Sequence, residues 1–342
     1  MKKSLSTVFL FLSVILCTAL PLSAKAGAGD SLIFMWWNTE NLFDSIDDPV
    51  IDDDDFSPYG RLHWTEKKLQ LKLMRVQHLF NAINSHPQYR AYPDIIAFAE
   101  TENKKVFTKA IGVIKAGGYK TVYHESRDPR GIDIGLAFNF RKVLFKASKT
   151  YQVPVEDKPT RPVIVAEFSV SGHPFHLVLN HWPSRAFDIR WTEPKRIAAA
   201  TVVRHIADSL MQKNSKADII IMGDFNDEPE NRSLKKVLGS SFDVSAVQTS
   251  CGKLLYNCWG NYSGIGSYFY RGHWEKIDQM LVSCGLFDRE GLWLPDNAFR
   301  CFAFSPMLDD SGKKPWPTYE KGVYKGGYSD HLPLLLTIRT QR

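Results

Sequence analysis

Cysteine is scarce in this chain, five in 342 residues. None stands in a C-x-x-C pair or beside clustered histidines, which argues against a zinc site. Internal repeats, low-complexity linkers and sustained heptads are missing, and the 22 glycines and 18 prolines follow no period. A coiled coil and a collagen-like rod are thereby excluded. A strong charge of one sign is lacking too, since 43 basic side chains face 37 acidic ones. After the opening segment no apolar run is long enough to cross a bilayer. What the chain has is 44% hydrophobic residues, enough to fill a large core and to exclude disorder as a whole.

The opening segment carries part of the basic excess. Lys2 and Lys3 precede a mostly apolar stretch from Val8 to Leu22, and Ala24-Lys25-Ala26 has small residues where a signal peptidase reads. The expectation is a secretory signal peptide at 1–26 and a single domain at 27–342. The product would be exported to the periplasm or the medium, without stable membrane insertion. Cleavage removes three lysines and no acid, which halves the formal net charge of +6. Four cysteines remain, an even number that permits two disulfides in an oxidising compartment. The expected pairing is Cys251 with Cys258 and Cys284 with Cys301.

Short apolar runs at 32–37, 94–99, 132–138, 162–168, 175–179, 218–222, 276–282 and 332–338 read as buried strands. Thr65 suits the N-cap of a helix in which Leu69, Leu73, Val76, Phe80 and Ile83 recur at helical spacing. A second helix is expected to start near Pro194 and run through 196–211. Strands with too few helices for regular βαβ alternation predict a mixed-sheet α/β sandwich.

The polar residues that follow these strands carry the chemistry. One run ends in Trp37-Asn38-Thr39-Glu40, another in Ala99-Glu100-Thr101, a third in Asn180-His181-Trp182-Pro183-Ser184-Arg185, and a fourth in Gly223-Asp224-Phe225-Asn226. The last run is entered through Ser329-Asp330-His331. Asp and Asn are poor strand residues and costly to bury without partners. Apolar runs that repeatedly stop at a carboxylate, amide or imidazole therefore predict strand ends converging on one polar cleft. Hard oxygen donors such as Glu100, Asp330 and the Asn38 amide suit Mg²⁺, Mn²⁺ or Ca²⁺. Nearby histidines can exchange protons or hydrogen-bond a phosphoryl group.

These motifs resemble the endonuclease/exonuclease/phosphatase family, which includes DNase I, abasic-site nucleases of the exonuclease III type, neutral sphingomyelinases and inositol polyphosphate 5-phosphatases. Gly-Asp-Phe-Asn at 223–226 and Ser-Asp-His at 329–331 are the most specific marks, supported by Asn38, Glu100-Thr101 and Lys276-Ile277-Asp278. The resemblance implies a four-layer αββα sandwich of two mixed, mostly antiparallel sheets, as in DNase I. It implies a divalent ion, Mg²⁺ with Mn²⁺ or Ca²⁺ as alternatives, on Asn38, Glu100 and Asp330, with Glu40 sharing through water. Asp224 would activate the attacking water, Asn226 would hold a phosphate oxygen, and His331, oriented by Asp278, would bind the phosphoryl group. His181 takes the place of the second histidine of the DNase I type. Arg130, Asn180 and Arg185 are candidates for holding substrate. Glu40 replaces an aspartate of the abasic-site enzymes, which leaves a second metal open.

The implied function is metal-dependent phosphodiester hydrolysis, most simply by a secreted nuclease acting on nucleic acid. A sphingomyelinase-like, inositol-phosphate or phosphomonoester hydrolase is the alternative. A non-catalytic exported binding protein on the same scaffold is a third reading. No protein partner is inferable. The acidic run Asp52–Asp55 reads as a solvated loop near the cleft, and the basic stretch Lys313–Lys325 as either a mobile phosphate-collecting loop or a solvated connection. Aromatics crowd 256–274 ahead of Asp278, where they could form stacking platforms, a lipid-facing loop or ordinary packing.

Overall fold

The computed structural model describes residues 31–156, 159–186 and 188–341; the expected signal peptide lies outside the described residues. The chain opens with β1 (Ser31–Leu42), α1 (Glu66–Ser85), β2 (Ile95–Thr101), α2 (Lys104–Gly112), β3 (Tyr119–Tyr123) and β4 (Asp133–Asn139). β5 (Leu144–Tyr151), β6 (Val163–Val170), β7 (His173–His181), α3 (Ile189–Lys213) and β8 (Ile219–Asp224) follow. Short elements come next: β9 (Ser240–Ser241), α4 (Val244–Thr249), β10 (Leu255–Asn257), β11 (Tyr268–Tyr270), β12 (His273–Glu275) and β13 (Asp278–Val282). The chain closes through β14 (Leu292–Trp293), β15 (Phe299–Cys301), β16 (Tyr319–Glu320), β17 (Val323–Tyr324) and β18 (Leu334–Thr340).

Two mixed sheets of seven strands stand face to face. One has the order β14-β18-β1-β2-β4-β3, with β15 also on β18; the other runs β5-β6-β7-β8-β13-β10-β9. Most neighbours are antiparallel, and β1–β2, β7–β8 and β9–β10 are parallel. Helix α1 packs outside the first sheet through Leu69, Val76 and Phe80, and α3 covers the second through Ala199, Val203 and Ile206. The fold is the four-layer αββα sandwich.

Alternation along the strands explains where the site forms. On β1, Phe34 meets Phe175 of β7 and Trp36 donates to Asp278 of β13, so even-numbered residues face the opposite sheet. Asn38 ends that row. On β8, Ile220 and Met222 face the inter-sheet core while Ile219 and Ile221 face α3, and Asp224 ends the inner row. His181 on β7 and Asp278 on β13 end their own inner rows beside it, since His181 and Asp278 are both register partners of Asp224.

Tryptophans 36, 37, 64, 182 and 259 are buried, and each indole N–H finds an acceptor. This lets large apolar rings fill the core without stranding a polar atom.

Every expected strand is present within a few residues. Thr65 caps α1 as expected, its hydroxyl accepting from the Lys68 N–H. Helix α3 starts at Ile189, earlier than Pro194 suggests, because the Asp188 carboxylate accepts from the N–H groups of Arg190 and Trp191 and sets the start there. The expected disulfides are not formed. Cys251 bonds Cys284, while Cys258 and Cys301 are free and buried. Cys251 follows α4 and Cys284 follows β13; packing of those segments, which sequence proximity does not report, decides the partner. The 313–325 stretch includes the β16–β17 hairpin, with Lys314 and Lys325 paired to Glu320.

Candidate active site

The inner-row ends meet in a cavity of about 600 Å³. Asn38, Glu100, His181, Asp224, Asn226, Asp330 and His331 all line it. The Asn38 amide donates to Asp224 Oδ2 (3.1 Å) and Glu100 Oε1 (3.2 Å), which ties the two sheets together.

Glu100 arrives by a local irregularity. Its neighbour Phe98 packs outward on Phe80 of α1, so strict alternation would send Glu100 outward too. Pairing of β2 with both neighbours instead slips at this point, between Asn38 and Leu42 on one side and across Ala99/Thr101 on the other. Glu100 takes φ +59° there. The bulge turns its carboxylate into the cavity. Glu40, Asn41 and Asn226 share the left-handed conformation, a local strain that only the surrounding hydrogen bonds maintain.

Asp278 lies behind His331 rather than on the cavity wall. Its Oδ2 is 2.6 Å from His331 Nδ1, and its Oδ1 accepts from the Trp36 indole. Burial disfavours a charged His331, yet Asp278, Asp330 and Asp224 outweigh it and hold the imidazole pKa well above its ordinary value. Asp224 is pushed up to about 7, first by burial and then by Asp278. His181 is driven the other way by burial and by Arg161 and Arg130, so its ring is neutral. Two histidines in one cavity thus carry different charge.

A family model described as the endonuclease/exonuclease/phosphatase family matches residues 33–340. The chain belongs to that family. Among solved structures, an endonuclease/exonuclease/phosphatase family protein from Bacteroides thetaiotaomicron is 14% identical over 92% of this chain and 99% of its own, with a TM-score of 0.56. A mannosyl-6-phosphatase from the same species is 13% identical over 91% of this chain and 100% of its own, at TM-score 0.55. The human nocturnin catalytic domain with a bound sulfate anion is 15% identical over 91% and 95%, at TM-score 0.54. Identities this low speak for the fold alone. Comparison with curated protein sequences gives no significant match. Membership makes the chain a divalent-metal-dependent phosphoester hydrolase.

The donor set fits such an ion. Glu100 and Asp330 offer hard oxygen donors on one side of the cavity, beside Asn38, whose NH2 faces Glu100 and Asp224 while its oxygen accepts from the Glu40 N–H. The Asp330 side chain is still 41% exposed to the cavity, and its pKa is raised by desolvation and Glu100 against the pull of His331. A bound cation would relieve that crowding. Asp224, Asp278 and His331 also bring ligand atoms within 4.8 Å of one another. Both oxygens of Asp278 are engaged by Trp36 and His331, so this group reads as a hydrogen-bonded relay rather than a cation site.

Besides Asp278, two sequence-based candidates for this family site do not reach the cavity, Glu40 and Asn180. Glu40 turns away from it: its carboxylate accepts from the N–H groups of Thr318, Tyr319 and Asp330. Lys72 lies below, fully buried, donating to Thr318 Oγ1 and to the Tyr328 carbonyl. Burial and Asp330 push Glu40 up to about 8, and burial brings Lys72 down to about 8 against the attraction of Glu40, Asp330 and Glu100. Three backbone donors leave Glu40 little to offer an ion, and it holds the Asp330 backbone instead. Asn180 is likewise buried beneath the floor, where its side chain bonds the Val178 carbonyl and the Trp182 indole.

Arg130 and Arg185 do line the cavity. Arg130 bonds Asp128, and Arg185 bonds Glu275. No motif or spacing pointed to Arg161, which also lines it. Arg161 is buried, donating to Asp128 (2.8 Å) and the Trp182 carbonyl (2.8 Å). Burial works against a charged Asp128, but the two guanidiniums more than reverse this and hold its carboxyl below the usual range. A lone Arg before Pro162 carries no spacing signal; only the fold sets it beside His181.

Proposed function

We propose that the chain is an exported Mg²⁺-dependent phosphodiesterase acting on nucleic acid, by in-line attack of water on phosphorus. The observation that supports this most is the meeting of Asn38, Glu100 and Asp330 with Asp224, Asn226 and the Asp278–His331 pair in one cavity flanked by arginines. Asp224 accepts a proton from the attacking water, a task suited to a carboxylate held near neutral pKa. Charged His331 donates from Nε2 to a phosphoryl oxygen, while Asp278 fixes its ring through Nδ1. Asn226, which lines the cavity and whose amide donates to the Trp182 carbonyl, would hold a phosphate oxygen in the transition state. Neutral His181 hydrogen-bonds the phosphoryl group between Glu100 and Asp224. Asn38, Glu100 and Asp330 would hold a divalent ion, which would supply charge neutralisation at the phosphate and the leaving oxygen. Export rests on the leader pattern at 1–26, with residues 27–342 as one domain.

Asp224→Asn should lower turnover by several orders of magnitude with little change in melting temperature. The decisive screen assays DNA, RNA, sphingomyelin and inositol phosphates, each with Mg²⁺ and with chelator. Chelator-sensitive cleavage of a nucleic acid supports the proposal. Cleavage confined to sphingomyelin or to a phosphomonoester would replace it.

A further inference from the structure

Half of the cavity takes no part in the hydrolytic constellation. This half is built by the segment leading into α3 and by the β11–β12 hairpin. Its lining includes Arg185, Ile189, Arg190, Tyr268, Tyr270 and Arg271.

The hairpin is a rigid presenter of side chains. Its two-residue turn, Arg271-Gly272, has both residues left-handed (φ 47° and 89°), the geometry that matches strand twist. The turn fixes the pairs Tyr270–His273, Phe269–Trp274 and Tyr268–Glu275. Tyr268 also bridges to His331, and the Leu332 N–H donates to the Ser267 carbonyl (2.7 Å). The hairpin is thus anchored to the segment before β18 that carries the phosphoryl-binding histidine.

Two residues apart on β11, Tyr268 and Tyr270 point to the same side. Their rings lie nearly parallel, 6.3 Å apart at 19°. Tyr268 in turn leans on the His331 imidazole, with centroids 4.7 Å apart. Tyr270 is 40% exposed, so ring surface remains open to a ligand. The guanidinium carbons of Arg185 and Arg271 lie 5.9 and 5.1 Å from its ring. Arg185 is neutralised by Glu275. Neither Arg190 nor Arg271 forms a close ion pair among the described residues; Asp188, which caps α3, lines the same cavity and attracts Arg190 at longer range.

Flat rings interleaved with guanidiniums outside any close ion pair are what an unpaired polynucleotide needs. Bases stack on tyrosine faces and phosphates pair with arginines. A sugar monophosphate has no second anion for Arg190 and Arg271. A membrane would meet ring tips on a protruding surface, whereas these rings line a concavity. A base held in a duplex stays in its own stack and offers the tyrosines no face.

We infer that the Tyr268–Tyr270 wall with Arg190 and Arg271 is a subsite for an unstacked base and its flanking phosphate, which directs the enzyme to single-stranded nucleic acid. This rests on the nucleic-acid reading of the same site and adds its strand preference.

The test separates binding from cleavage. The full chain carrying Asp224→Asn, in Mg²⁺, is titrated with a short DNA strand containing 2-aminopurine, single-stranded or annealed to its complement. Stacking quenches 2-aminopurine, so the single strand should be quenched and bind at least tenfold tighter than the duplex. Adding Tyr270→Ala should abolish the quenching and weaken binding about tenfold, the scale of one base–aromatic stack. Arg271→Ala should flatten the salt dependence of binding. Equal affinity for both forms, or quenching unchanged by Tyr270→Ala, overturns the inference. Vesicles of phosphatidylglycerol and sphingomyelin that deplete the chain from solution through Tyr270 would overturn it in favour of a lipid surface. If single-strand quenching holds but the unsubstituted chain cleaves no nucleic acid, the subsite stands and the nuclease reading falls.

Discussion

Lys72 is the least conspicuous residue near the site and among the most constrained. Its ammonium is buried against Thr318 Oγ1 and the Tyr328 carbonyl, with the Glu40 carboxylate above it. Lys72→Met would leave these acceptors and a buried acid uncompensated, a loss of about 3–5 kcal/mol. We expect a clear fall in melting temperature and a severalfold rise in the Mg²⁺ concentration for half-maximal activity, because Asp330 hangs from Glu40 through its backbone N–H. Thermal melts and a Mg²⁺ titration check both. Asp218 offers a test away from the site. Burial and then Asp288 push it up to about 7, above the 3.8 of a free aspartate. An acid with a raised folded pKa binds more protons folded than unfolded, so this group's stability contribution is lost as pH rises from about 4 towards 7. Asp218→Asn should therefore raise the melting temperature at pH 8 and change it little at pH 4. An equal gain at both values would contradict the assignment. Residue roles were also the hardest part to read from sequence. Glu40 has the right chemistry for a ligand, and only its three backbone donors show that it acts as a brace. Asn180 sits one residue before His181, and strand alternation alone turns it away from the cavity.

At the scale of elements, strand ends were legible because apolar runs stop abruptly at polar residues. Asn38, His181, Asp224 and Asp278 all lie where alternation puts them. Elements without that contrast were not seen. β5 exposes most of its residues as an edge strand, so it shows no apolar run, and α2 has only nine residues. The bulge that re-aims Glu100 has no sequence signature either. The parallel pairing of β7 with β8 depends on one glycine: a Cβ on Gly223 would lie 2.3 Å from the Asn180 carbonyl oxygen. Gly223→Ala must push these strands apart, at a cost of about 1–3 kcal/mol. Because His181 and Asp224 are register partners at that end, activity should fall more than tenfold while the protein still folds. Circular dichroism with a kinetic assay distinguishes this from simple unfolding.

For the whole molecule, periodicity reached only a mixed-sheet α/β sandwich, and the αββα architecture followed from the family resemblance that the motifs carry. The disulfide was not legible, because Cys251 and Cys284 lie 33 residues apart and meet only through tertiary packing. The cavity straddles the seam between the sheets. Asn38 and Glu100 hang from one sheet, and His181, Asp224 and Asp278 from the other. Polar cross-links at this edge include the Asn38 amide on Asp224, the Trp36 indole on Asp278, and His331 on Asp278. On gradual heating, turnover should therefore decline several degrees before far-ultraviolet ellipticity does. Coincident loss would mean that the layers part only when the strands themselves melt. Catalysis here works like a vernier across two plates: small relative slippage, invisible to either plate alone, is enough to put the marks out of line.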